Sequence, residues 1–165
     1  MIDLARPKGA VFSGDRAFRY ALWRAWDTSK PVLMFIGLNP SKAGEIFDDP
    51  TVTRMMARAM RADYGGLLVG SLFAYVSTNP RVLLMRPDKV GPETDYFLQW
   101  MVRLSALQLC GWGSFEAARR RASAVYDMLT KPVVLGLNKD GQPKHPLYLS
   151  YALPMVPWAP HEVTR

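Results

Sequence analysis

Two short segments, Gly37-Leu38-Asn39-Pro40-Ser41 and Lys144-His145-Pro146-Leu147-Tyr148, hold the residue types best suited to polar chemistry in this chain. Asn39 presents an amide in a turn, where Asn bonds nearby backbone and Pro40 sets the chain direction. Read plainly, this is an ordinary turn. Ser41 has no claim to be a nucleophile, since no Gly-x-Ser-x-Gly elbow occurs, and the spacing of a phosphate-binding P-loop is also missing. His145, between Pro143 and Pro146, could donate a hydrogen bond to charge developing in a cleft, although a surface histidine in a turn is the plainer reading. The only other histidine, His161, sits in a Pro-rich tail and has little claim. Asp48 and Asp49 could position water, bind a hard cation or cap a helix, and capping is the cheaper explanation for at least one of them.

The elements around these residues have the periodicity of an α/β domain. Val32 to Leu38 and Leu67 to Phe73 are short apolar runs, Ala106 to Trp112 and Val133 to Leu137 extend the series, and all four read as strands buried on both faces. Phe18 to Trp26 is a further strand with imperfect alternation, after an irregular start. Between them, Val52, Met55, Met56, Ala59 and Met60 fall at helical spacing after Asp49-Pro50. Gly91-Pro92-Glu93 opens a second helix with Phe97, Leu98, Met101 and Val102, and Ser114 is a plausible N-cap for a third through Phe115, Ala118, Ala122, Val125 and Leu129. Strands alternating with helices predict a three-layer α/β/α fold around a central, mainly parallel sheet of four to five strands. Loops that follow parallel strands leave at one edge, where ligands usually bind. Here they are 39–49, 74–80, 111–114 and 138–150, and they carry nearly every unusual polar cluster in the chain.

One domain is expected over residues 1–165, with the motif-bearing part running from about Phe12 to Pro157. A net charge of +7, from 21 Lys and Arg against 14 Asp and Glu, favours a polyanionic partner, DNA or a nucleotide. The plainer reading is a surface that happens to be positive. The Arg119-Arg120-Arg121 run is in the same way either a solvated helix face or a phosphate-contacting one. A single cysteine, Cys110, excludes an internal disulfide and suits a reducing, cytoplasmic setting. No metal or cofactor is expected, and neither is a signal peptide or a membrane span; the chain is expected to act as a monomer.

Six motifs occur in order: Gly-Leu-Asn-Pro-Ser, Asp48-Asp49-Pro50-Thr51-Val52-Thr53-Arg54, Leu72-Phe73-Ala74-Tyr75, Val90-Gly91-Pro92-Glu93, Trp112-Gly113 and Lys144-His145-Pro146-Leu147-Tyr148-Leu149. With them the chain resembles a family of small bacterial and phage proteins of unknown function. That family in turn is similar to a distant branch of the uracil-DNA glycosylase superfamily, which places Gly-x-Asp-Pro or Gly-x-Asn-Pro after an early strand and His-Pro after a late one. This resemblance implies a uracil-DNA-glycosylase-like fold, with Asn39 positioning the hydrolytic water and His145 stabilising the departing base. Gly37, Leu38, Pro40, Ser41, Asp48, Asp49 and Ser71 would form the base site, and an extruded base would stack on Phe47, Phe73 or Tyr148. Lys42, Arg54 and Lys144 would meet the nucleic-acid backbone.

The chain departs from that pattern at two places. Ser71 aligns where uracil-removing members carry a base-reading asparagine, which favours a modified or bulkier pyrimidine over uracil. His-Pro-Leu-Tyr replaces His-Pro-Ser, so a duplex-intercalating loop is not implied. The leading expectation is a DNA glycosylase acting on a modified or non-standard pyrimidine. A nucleic-acid or nucleotide-binding module without catalysis, and an enzyme of free modified nucleotides, remain as alternatives.

Overall fold

Runs of apolar residues too short for a helix but rich in Val, Ile, Leu and Phe set the framework, because each can bury both faces only inside a sheet. The computed structural model describes residues 1–160. Its strands are β1 (Lys8–Phe12), β2 (Arg19–Ala25), β3 (Val32–Gly37), β4 (Gly66–Ser71), β5 (Leu107–Cys110), β6 (Pro132–Val134) and β7 (Val156–Pro157). Four helices accompany them: α1 (Pro50–Arg61), α2 (Pro80–Met85), α3 (Thr94–Leu104) and α4 (Arg119–Tyr126).

All seven strands form one sheet in the order β1-β2-β4-β3-β5-β6-β7. The expected four to five strands are therefore too few. β4, β3, β5 and β6 are parallel, whereas β1, β2 and β7 run antiparallel to their neighbours. β1 lies within the stretch whose composition reads as irregular. Its one buried residue is Gly9, where a Cβ would fall 2.1 Å from the Trp23 ring, so the pairing of β1 with β2 rests on a missing side chain. β7 has only two residues, too few to show any period.

The chain leaves β3 through α1 to reach β4 on one side, then returns through α2 and α3 to β5 on the other. Connections thus diverge at β3, and a crevice is expected between the carboxyl ends of β3 and β5. Side chains of β3 alternate between two apolar clusters. Leu33 and Phe35 join Val52, Met55 and Ala59 of α1 on one face, while Met34 and Ile36 join Leu98, Met101 and Val125 from α3 and α4 on the other. Met60, which helical spacing places in the α1 stripe, is half exposed.

Helix starts follow local chemistry. Asp49 caps α1, its Oδ1 accepting from the Val52 amide at 2.9 Å, with Pro50 in the first turn. Ser114 does not cap the third predicted helix. Its hydroxyl donates to Asp140 instead, and the segment enters α4 through a 3-10 turn at Glu116–Ala118. No helix among the described residues is long and apolar enough to cross a membrane.

Candidate functional site

A cavity of about 430 Å³ opens at the carboxyl ends of β3, β4 and β5, on the face covered by α1. Each of the four strand-end loops contributes to its wall: Asn39, Ser41 and Asp49 from the first, Ser77 and Thr78 from the second, Trp112 and Gly113 from the third, His145 and Leu147 from the fourth. Asn39 and His145 therefore share one cavity, together with Gly37, Leu38 and Ser71.

Asn39 is held by its amide nitrogen. Nδ2 donates to the carbonyls of Pro40 and Ser77, both at 2.8 Å, while the Ser77 amide donates back to Pro40 O at 3.0 Å. These bonds join the loops after β3 and β4. They also settle which end of the side-chain amide is which, since only NH₂ can serve two carbonyls. Oδ1 has no hydrogen-bond donor among the described residues and is available to a water or a ligand.

His145 is placed by its neighbours. Gly113 N donates to Pro143 O at 3.0 Å and Lys144 N to Gly136 O at 2.9 Å, fixing the chain just ahead of the imidazole. The ring sits edge-on to Phe35, with centroids 6.3 Å apart. Nδ1 accepts from the Leu147 amide at 3.2 Å, so in the neutral ring the proton is on Nε2. His145 is solvent-exposed, yet the protein around the ring lowers its pKa below the ordinary histidine value by desolvation, with Asp49 pulling the other way. Imidazole, not imidazolium, is then the form present at neutral pH.

Close packing brings this loop to β5. A Cβ on Gly111 would lie 2.7 Å from the Phe35 ring and 2.9 Å from Pro146 Cδ. Gly111→Ala must displace one of them. We expect it to cost ~1–3 kcal/mol, the usual range for overpacking, and to broaden or shift the His145 ring resonances in an NMR spectrum. An unmoved His145 signal with unchanged stability would show that this approach is not what seats the loop.

The two adjacent carboxylates have separate tasks. Asp49 caps α1 and lines the cavity, whereas Asp48 turns away and binds buried Arg24, whose Nε donates to Oδ1 at 2.8 Å. Arg24 also reaches the carbonyls of Trp23 and Gly44, both at 2.7 Å. Asp48 supports the loop and does not line the cavity.

None of the three stacking candidates lines the cavity. Phe73 is 2% exposed in the core beneath α3, because β4 ends at Ser71 and strand alternation no longer governs the chain two residues on. Tyr148 is 91% exposed, in a turn closed by the Leu149 amide on Pro146 O, and Phe47 is 76% exposed at the tip of its loop. Phe35, Trp112 and Phe115 supply the aromatic wall instead. Phe35 precedes Gly37 by two residues on the same strand, so period-two alternation could have found it. Arg19 also lines the cavity, and nothing in its local sequence marks it out.

Among the proposed backbone contacts, Lys42 and Lys144 are exposed. Arg54 is engaged: its guanidinium donates to Leu149 O and lies over the Tyr151 ring. Arg58 beside it donates to Ser150 O at 2.9 Å, so α1 holds the irregular segment that follows His145. Within the triple-arginine run, Arg121 is drawn inward to Leu72 O and Asp95. Cys110 is a buried free thiol whose pKa is pushed far up by desolvation, leaving no reactive thiolate. Among the described residues no three His, Cys, Asp or Glu side chains gather to hold a metal ion. His161 lies outside the described residues.

No curated protein and no solved structure matches the chain. A family model described as a protein of unknown function, DUF1643, matches residues 19–147, a span that begins at Arg19 and takes in both Asn39 and His145. On that match, the chain belongs to the DUF1643 family.

Proposed function

We propose that this protein is a glycosylase-like hydrolase that cleaves the N-glycosidic bond of a modified or non-standard pyrimidine. The observation that carries this reading is the meeting of Asn39 and His145 in one cavity with complementary polar atoms: an unoccupied acceptor, Oδ1, and a fixed donor, Nε2–H. These are the two residues supplied by the motifs that resemble the uracil-DNA glycosylase superfamily. Apolar clusters with helices on both faces of the sheet suit the three-layer arrangement of that superfamily.

The chemistry needs no strong base. As the glycosidic bond breaks, its electron pair leaves with the base and the sugar becomes oxocarbenium-like. Water held at Asn39 Oδ1 adds its hydroxyl to the sugar carbon, and its proton ends on the released base. Nε2–H of His145 stabilises the anionic oxygen of the departing base. A neutral imidazole fits this part, since its Nε2–H can donate while Nδ1 stays an acceptor for the Leu147 amide. Ser71 brings a hydroxyl to the wall where a uracil reader would carry an amide, which suits a base other than uracil.

The test incubates the protein with DNA carrying uracil, hydroxymethylated or glycosylated pyrimidines and follows released base by mass spectrometry. Free base and an abasic site are expected. Asn39→Ala should slow release by roughly 10²-fold or more while DNA binding survives, the usual cost of one preorganised polar group. High-affinity nucleotide binding with no substrate cut would replace the enzyme by a binding module, which the +7 charge favours as the second reading.

A further inference from the structure

Arg19, the first residue of β2, is 5% exposed and lines the cavity. Its Nη1 donates to Ala43 O at 2.7 Å. No carboxylate among the described residues forms an ion pair with it, and its Nε and Nη2 have no protein acceptor there. Neither nitrogen is among the buried polar atoms sealed from solvent without a partner, so both stay accessible in a residue that lines the cavity. Arg24, five residues along the same strand, makes the contrast. Its guanidinium is also buried but is occupied by Asp48 and by several carbonyls.

Placing a guanidinium in such a site without a counter-charge is costly, because no paired anion offsets its lost hydration. Burial lowers the Arg19 pKa to about 10, with Asp49 opposing and Arg24 reinforcing the effect. Arg19 stays cationic at neutral pH. Asp49 acts on it only through space, since among the described residues no Arg19 nitrogen lies within ion-pair distance of that carboxylate. The Nε–H and Nη2–H bonds point in parallel from one edge of the guanidinium, the fork that matches two oxygens of a carboxylate or phosphate. The hydroxyl of Ser71, 6% exposed and also lining the cavity, has no protein partner among the described residues. Two of the wall's polar groups thus wait for acceptors.

We propose that Arg19 is the specificity-determining residue of the cavity and that the ligand carries an oxyanion, bound two-pronged by Nε and Nη2. Two sources share this chemistry: a carboxylate on the pyrimidine ring, or the phosphate of a pyrimidine nucleotide. The proposal takes its pyrimidine from the functional reading above, but the oxyanion follows from Arg19 itself.

Equilibrium binding separates the two claims because it needs no turnover. The full chain is titrated calorimetrically with uracil, uracil-5-carboxylate, uridine 5′-monophosphate and inorganic phosphate. We expect at least one oxyanion-bearing probe to bind tenfold or more tightly than uracil. A carboxylate preference assigns the charge to the base, and a phosphate preference assigns it to a nucleotide. Arg19→Gln and Arg19→Lys should each abolish most of that preference, the lysine because it keeps charge without the fork. Arg19→Met should in the same series hold or raise the melting temperature, which a merely structural arginine would not allow. Equal affinity for charged and uncharged probes, no binding of any probe, or a preference that persists in both the Gln and Lys variants overturns the proposal. Absence of base release with the preference intact removes only the glycosylase reading.

Discussion

His145→Ala is expected to lower the single-turnover rate of base release by ~10²–10³-fold, equivalent to losing ~2.7–4 kcal/mol of transition-state stabilisation, while substrate affinity changes little. A donor to the departing base acts mainly where charge develops, so the loss belongs in the rate and not in the ground-state complex. The pH profile supplies a second readout. Burial disfavours charge on this imidazole, so the folded protein binds that proton less tightly than the unfolded chain does. The stability contributed is full above the ordinary histidine value and is lost as pH falls through the lowered one. Protonation would also turn Nδ1 from acceptor to donor and break its bond to the Leu147 amide. The rate should therefore be flat on the alkaline side of neutrality and fall along an acid limb lying below the ordinary histidine pKa of about 6.5. An acid limb that survives in His145→Ala would assign it to another group.

Asp48→Ala is expected to reduce the unfolding free energy in a urea titration by ~2–3 kcal/mol, somewhat under the ~3–5 typical of breaking a sealed pair, because part of Asp48 remains in water. Arg24 is left buried without its carboxylate, although the carbonyls of Trp23 and Gly44 still accept from it. Asp48→Ala combined with Arg24→Met should recover most of the loss, since no unpaired charge is then buried. Asp49→Ala should cost only ~1 kcal/mol, the value of a helix cap. Equal losses in the two single variants would show that the carboxylates do not divide their tasks as described.

That division shows how far local sequence can be read. Asp49-Pro50 announces a capped helix, and the cap forms. The partner of Asp48 lies 24 residues back, on β2, whose place beside β4 is set by pairing across the sheet. The aromatic residues behave likewise. Phe35 shares a face with Gly37 by simple alternation and does reach the cavity, whereas Phe73 and Tyr148 lie beyond regular elements, where a turn decides which way a side chain points. β1 escaped recognition because Gly9, its single buried residue, contributes a space for Trp23 and no apolar signal.

Periodicity and turn chemistry in the sequence by themselves determined the four parallel strands, α1 and α3, and the edge at which Asn39 and His145 meet, because these depend on spacing within a few residues. Tertiary structure alone decided what fills that edge. It turned Asp48 to Arg24 and sent Phe73 into the core, and it brought Arg19 to the cavity wall with two of its three guanidinium nitrogens unmatched. The reason is physical: whether a buried charge is satisfied depends on neighbours distant in the chain, and no local pattern records them.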